Sequence, residues 1–324
     1  MTDKIVSPAE SWAKLVRFPA VFTVIAQVAA AFLLVAGTAE PIARLIVITA
    51  AAVSLYWFGM IGNDLCDLEE DRRERPTRPL ASEEISVRAA RAAAWGLMIL
   101  GVALATASGL IPSKSAPTTY GPAIVAIAIA VCVGLYNGLL KKTLMAPMLM
   151  GICRALCFLL GAAPLVMVNA ANMVDPIHWF APHVLAVAIG MGVYIMGITL
   201  ISTTETTGGQ KSPIAFGTAI ALLGSICMAM APSFAPEGTA WKISLEGRFP
   251  LLIGLIAFSV LFRGIRAAIR PEIKAIQNLV RIGVMTLIPF SAAFAAIAAG
   301  PGWGLAVFAL IIPAIATAAR IRVT

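Results

Sequence analysis

The run Asn63-Asp64-Leu65-Cys66-Asp67-Leu68-Glu69-Glu70-Asp71 closes an apolar stretch, Trp57-Phe58-Gly59-Met60-Ile61-Gly62. It leads directly into Arg72, Arg73, Arg75, Pro76, Arg78 and Pro79. On a helix, Asp64, Asp67 and Asp71 fall at i, i+3 and i+7, within one narrow face. Carboxylates converging in this way repel one another unless they share a cation. Hard oxygen donors suit Mg²⁺, which keeps part of its water shell and bridges to phosphates. The chemistry this spacing implies is a magnesium–diphosphate site at a membrane border. The plainer alternative is a solvated loop whose acids and arginines pair with one another.

The elements that must position this run are membrane helices. The 324 residues are 60% apolar and 12% charged, whereas a soluble domain is roughly a quarter charged. Apolar runs near the ~20 residues needed to cross a bilayer fall at about 18–37, 42–62, 89–111, 121–140, 146–169, 182–202, 213–232, 249–268, 277–299 and 303–319. The expected fold is therefore all-α, a polytopic bundle of nine to ten transmembrane helices forming a single domain over 1–324. The last two runs, parted only by Gly300-Pro301-Gly302, are the weakest boundary. Ser7-Pro8-Ala9-Glu10 reads as a capping box with Pro at the first helical position, opening a short interfacial helix at about 8–17. No signal-peptide pattern precedes it.

Charge sets the orientation. With the N-terminus cytoplasmic and ten alternating helices, nineteen Lys and Arg, from Lys4 to Arg322, fall on the cytoplasmic side. Only Arg44, Lys114, Lys242 and Arg248 fall opposite. The positive-inside rule then places the acidic run and both termini in the cytoplasm. The net charge of +8 reads as orientation charge, so nucleic acid is not an expected partner. The basic segment Arg263, Arg266, Arg270 and Lys274 reads as orientation charge or anionic-lipid contact. Cys66, Cys132, Cys153, Cys157 and Cys227 form no CxxC pair and read as reduced thiols. His178 and His183 are too few for a zinc site.

Other polar residues are candidates for the same site. Arg154 sits inside the fifth run, where an ionisable side chain usually faces a cavity. Tyr136, Asn137, Lys141 and Lys142 follow the fourth run. A second polar segment, 202–211, follows the sixth run, four helices after the acidic one, and holds Glu205, Gln210 and Lys211. The two segments form a weak internal repeat that would flank one cavity.

Asn63-Asp64-x-x-Asp67-x-x-x-Asp71 with Arg75-Pro76-Thr77-Arg78-Pro79-Leu80 resembles the first signature of the UbiA-type intramembrane prenyltransferases. Tyr136-Asn137 with Lys141-Lys142-Thr143 resembles that family's basic element, and the similarity runs from about residue 10 to about 300. The segment Lys274-Ala275-Ile276-Gln277-Asn278-Leu279-Val280-Arg281 resembles the EboC-type branch. The resemblance implies Mg²⁺-dependent transfer of a polyprenyl group from an allylic prenyl diphosphate to a lipophilic or aromatic acceptor, in a cavity facing the cytoplasm. It implies Asp64, Asp67 and Asp71 as metal ligands with Asn63 beside them. Arg72, Arg78, Lys141, Lys142, Arg154 and Lys211 would be diphosphate contacts. Tyr136 and Asn137 would touch the acceptor or the prenyl chain. The family's second motif, DxxxD, is missing here. Glu205 is the one remaining carboxylate, a further metal ligand assisted by Gln210.

A rival of another class is a transporter or lipid-binding membrane protein that keeps the fold without catalysis. Pro147, Pro164, Pro289 and Pro313 interrupt the apolar runs, but acids are missing within them. The charge bias and the missing transit peptide favour a prokaryotic inner membrane.

Overall fold

The computed structural model describes residues 7–168, 176–205, 208–243 and 247–321. Lys4, Thr206, Thr207 and Arg322, which entered the charge and repeat readings, lie outside the described residues. Helices α1 (Pro8–Leu15), α2 (Val21–Ala36), α3 (Ile42–Cys66) and α4 (Leu68–Glu74) lead into α5 (Val87–Leu110), α6 (Gly121–Leu135) and α7 (Ala146–Ala162). Then come α8 (Pro182–Ser202), α9 (Lys211–Met230), α10 (Arg248–Ile269), α11 (Ile273–Met285), α12 (Leu287–Ala299), α13 (Pro301–Phe308) and α14 (Ile311–Arg320). Among the described residues they make ten segments long and apolar enough to cross a bilayer, at the places the hydropathy predicts. Gly300, at φ 103°, separates α12 from α13, so the weakest sequence boundary is a real turn between two spans.

Local signals fix the helix starts. Ser7 Oγ accepts the Glu10 N–H at 3.3 Å and Ser86 Oγ accepts that of Ala89 at 3.2 Å, each relieving one orphan donor. Helix α1 does more than rest on a surface: Leu15 and Val16 pack with Ile61, Leu80, Ile85, Ala90 and Ala94 in a satellite apolar cluster. That cluster ties α1 to α3, to the Arg-Pro segment and to α5.

Sequence neighbours pack side by side, α3 on α5, α7 on α8, α8 on α9 and α9 on α10. Helix α12 returns against α2, so α2 is surrounded by α3, α7, α12 and α13. Small residues permit the closest crossings. A Cβ on Gly197 would lie 2.4 Å from the Gly217 carbonyl oxygen, and one on Gly151 would lie 2.6 Å from that of Gly192. Helices α5, α6, α10 and α14 instead expose large apolar residues such as Ile99, Ile127, Leu255 and Ile312, a face suited to lipid.

Opposite the acidic run, Arg44 is fully buried and donates to four carbonyls. Nε and Nη2 reach Ile111 at 2.9 and 2.7 Å, Nη1 reaches Pro117 and Pro164 at 2.8 and 2.5 Å, and Nη2 reaches Ala116 at 3.2 Å. By sequence Arg44 reads only as orientation charge on the side away from the acidic run. The fold makes it the tie that holds the α5–α6 connection to the end of α7.

Candidate active site

The acidic run is not one continuous helix. Helix α3 stops at Cys66, Asp67 caps it at φ −88° and ψ 0°, and α4 begins at Leu68. Asp64 therefore comes from α3, Asp67 from the joint and Asp71 from α4. Arg78 ties two of them together: its Nη1 lies 2.6 Å from Asp71 Oδ2 and 3.6 Å from Asp64 Oδ1. Asn63 Nδ2 donates to Asp64 Oδ1 at 3.2 Å and to Asp67 Oδ2 at 3.3 Å. Lys141 Nζ contacts Asp67 Oδ2 and donates to Asn63 Oδ1 at 2.8 Å. The tail after the run is thus a working part of the site, since it returns Arg78 to the acids that precede it.

Arg17 is the residue that sequence reading missed. It was taken as part of an interfacial helix. It terminates α1 in the left-handed region, at φ 49°, and places Nη2 3.3 Å from Asp64 Oδ1. Such a conformation in a non-glycine residue costs ~1–3 kcal/mol and concentrates at functional sites. The only sequence signal was its place, just ahead of the first span.

The site is charge-matched among the described residues: Asp64, Asp67 and Asp71 face Arg17, Arg78 and Lys141. In this arrangement no three acidic, Cys or His groups converge on one metal-binding point among the described residues. Burial pushes the Asp71 carboxyl above its ordinary range; Arg78 opposes that, and Asp64 and Asp67 add to it. Three oxygen-donor acids, two of them at most 5% exposed, fit a hard divalent cation, which would relieve the same repulsion.

A cavity with about 780 Å³ of non-atom space, counting its open mouth, leads from this cluster between α2, α3, α6 and α7. Its walls are largely apolar, including Val24, Leu55, Ile129, Val133 and Leu160, with Arg17, Asn63, Tyr56, Tyr136, Asn137 and Arg154 as polar points. A π-helical turn, Tyr136–Leu140, continues α6 and delivers Tyr136 and Asn137 to the cavity just ahead of Lys141. Asn137 donates to the Gly59 carbonyl at 3.3 Å, and its own buried Oδ1 has no hydrogen-bond partner among the described residues.

Other expected residues sit differently. Arg72 pairs with Glu69 at 3.2 Å and Glu83 at 3.8 Å on the surface, and Lys142 pairs with exposed Glu70 at 3.0 Å. That hydrogen bond to Lys142 holds the Glu70 carboxyl below its usual range. Gln210 and Lys211 are exposed at the start of α9. Glu205 is half-buried beyond α8; burial raises its carboxyl, and Arg75 and Arg17 pull it back, so the second polar segment stands at the same end as the acidic run.

Ten membrane-length helices among the described residues, with an acid–base cluster beside a largely apolar cavity, mark an integral membrane protein. The chain belongs to the UbiA prenyltransferase family, whose profile matches residues 23–280. One curated relative, digeranylgeranylglyceryl phosphate synthase of Methanoculleus marisnigri, is 37% identical over 75 residues, which are 23% of this chain. The match spans about a quarter (26%) of that relative's length. The fold resembles a solved structure concerned with digeranylgeranylglyceryl phosphate synthase in membranes, at TM-score 0.60 and 18% identity over 91% of this chain and 99% of that one. It also resembles a UbiA homologue from Archaeoglobus fulgidus bound to DMAPP and Mg²⁺, at TM-score 0.61 and 15% identity over 92% and 99%. The same comparison with that homologue bound to GPP and Mg²⁺ gives TM-score 0.59 and 15% identity over the same shares.

Proposed function

We propose that this chain transfers a prenyl group from an allylic prenyl diphosphate to a lipophilic or aromatic acceptor in the same cavity. The observation that carries the reading is one juxtaposition: Asn63, Asp64, Asp67, Asp71, Arg17 and Lys141 meet at the end of a largely apolar cavity. Homologues of the same fold bound to DMAPP or GPP with Mg²⁺ support the donor class.

In this reading Asp64, Asp67 and Asp71 hold Mg²⁺, with Asn63 orienting their oxygens. Glu205 is the further carboxylate at that end, with Gln210 and Lys211 in the adjoining segment. Bound there, Mg²⁺ supplies the positive charge that anchors the diphosphate and eases its departure. Lys141 and Arg17 turn from the acids to the diphosphate oxygens, while Arg78 keeps Asp64 and Asp71 in register. The allylic C–O bond breaks, and its electron pair leaves with the diphosphate. The apolar wall excludes water from the resulting carbocation, and the faces of Tyr56 and Tyr136 stabilise it. A carbon or oxygen of the acceptor captures it and loses a proton. The Lys and Arg bias of the loops supports a mouth on the cytoplasmic side, in our reading that of a prokaryotic inner membrane.

The test is diphosphate release by the purified protein with geranyl, farnesyl and geranylgeranyl diphosphates, with and without Mg²⁺, in the presence of a lipid and quinone-precursor extract. Release is expected to need Mg²⁺ and to be lost in Asp67→Asn while the protein stays monodisperse. Donor binding without release from the native chain would instead favour the non-catalytic reading.

A further inference from the structure

A second concentration of positive charge lies outside the cavity, on other helices. Three spans meet there: α9 begins at Lys211, α10 ends at Ile269 and α11 begins at Ile273. The turns between them are locked together. Gly208 and Gly209 take left-handed backbone, at φ 61° and 72°, and the Gly209 N–H donates to the Pro271 carbonyl at 3.1 Å. A Cβ on Gly208 would lie 3.2 Å from Ile273 Cγ1, and one on Gly264 would lie 2.4 Å from Thr218 Oγ1. These contacts fix the antiparallel register of α9 and α10, so Lys211 stands level with Arg270.

Lys211, Arg266, Arg270 and Lys274 are all exposed, and none of them lines the cavity. Among the described residues none makes an ion pair. The acids of the two turns are half-buried Glu205 and exposed Glu272, so the cations outnumber them. Arg266 and Arg270 lie one turn apart on one side of α10, about 6 Å along its axis. The same side carries exposed Phe258, Phe262 and Ile269, and the rings of Phe258 and Phe262 stack with centroids 6.2 Å apart. Two guanidinium groups thus stand at the border of a span, above an apolar stripe. Orientation charge alone asks for cations near span ends, but not for this pairing with an exposed aromatic stripe. At the start of α5, Arg88 and Arg91 are exposed too, yet Glu83 and Glu84 precede them and offset their charge.

We infer that Arg266 and Arg270, with Lys274 beside them, form a headgroup site for an acidic phospholipid of the adjoining leaflet, its acyl chains lying along Phe258, Phe262 and Ile269. Planar guanidinium forks match the oxygens of a phosphodiester, and Lys211 adds to the attracting field. This lipid is a structural ligand on the outer surface, separate from anything bound in the cavity. Arg266 and Arg270 belong to α10 and Lys274 to α11, so one headgroup fastens the turn on which the α8–α9 connection is already pinned.

The test needs neither donor nor Mg²⁺ and does not depend on prenyl transfer. The purified full chain in a neutral detergent is titrated with dioleoyl phosphatidylglycerol or dioleoyl phosphatidylcholine, and bound lipids are counted by native mass spectrometry. A Lys or Arg near an anionic headgroup is worth about fivefold in binding, so the first phosphatidylglycerol should bind at least about tenfold more tightly than the first phosphatidylcholine. That preference should vanish in Arg266→Gln/Arg270→Gln, with phosphatidylcholine binding unchanged. It should persist in Arg88→Gln/Arg91→Gln, which removes the same charge elsewhere. Millimolar inorganic phosphate should leave phosphatidylglycerol bound. Equal binding of the two lipids to the native chain would overturn the inference. So would equal losses in the two double variants, because net charge alone would then explain the preference. Displacement by inorganic phosphate would also overturn it, since the site would then take a free anion and not a lipid.

Discussion

Lys141 and Lys142 are adjacent in sequence, yet the fold gives them opposite prospects. Lys141 contacts Asp67 and donates to Asn63, and the lysine and aspartate side chains are 23% and 16% exposed. Lys142 is 85% exposed and pairs with Glu70, itself 49% exposed. A hydrogen bond involving a charged group is worth about 1.5–3 kcal/mol, and breaking a buried pair costs about 3–5 kcal/mol. Partial exposure places the loss for Lys141→Met near 3 kcal/mol if the same ammonium holds the departing diphosphate. At 1.36 kcal/mol per tenfold in rate, that is about a 100-fold fall. A surface pair contributes about 0–1 kcal/mol, so Lys142→Met should change the rate by about fivefold at most. The assay is diphosphate release per mole of monodisperse protein at saturating donor and Mg²⁺. Equal losses in the two variants, or more than about a tenth of the native rate in Lys141→Met, would refute the assignment of Lys141 and the charge argument behind it.

Two further outcomes follow from named groups. The Asp71 carboxyl is raised by burial, so its proton competes with a metal at higher pH than an ordinary aspartate's would. The Mg²⁺ concentration for half-maximal release should climb as pH falls toward the ordinary carboxylate range, and Asp71→Asn should remove that dependence. Stability moves the other way, because a raised carboxyl contributes most below its unfolded value and loses that contribution as pH rises through its folded one. Arg44→Met should orphan four carbonyls at roughly 1–3 kcal/mol each, less what water at that end restores, for a net loss of about 3–5 kcal/mol. Thermal unfolding in detergent should show it, with Arg44→Lys recovering only part because one ammonium cannot reach all four oxygens; an unchanged midpoint would show that the tie carries no stability.

Composition and patterning alone marked an all-helical protein of nine to ten spans, because a bilayer leaves the backbone few other choices and lets apolar length mark each span; the turn at Gly300 made the count ten among the described residues. The Asn63–Asp71 pattern, with its Arg-Pro tail, likewise marked the acid cluster and the family. Which cations meet that cluster was settled by tertiary structure. Arg17 reaches Asp64 from the far side of the first loop through one left-handed residue, and Lys141 reaches Asp67 through a π turn at the end of α6. Neither device leaves a periodic trace in the sequence. The contrast between Lys141 and Lys142, the exclusion of Arg72 into surface pairs, and the burial of Arg44 are equally invisible there. Each depends on which way a side chain faces once helices distant in sequence have packed, and residue type fixes charge but not direction.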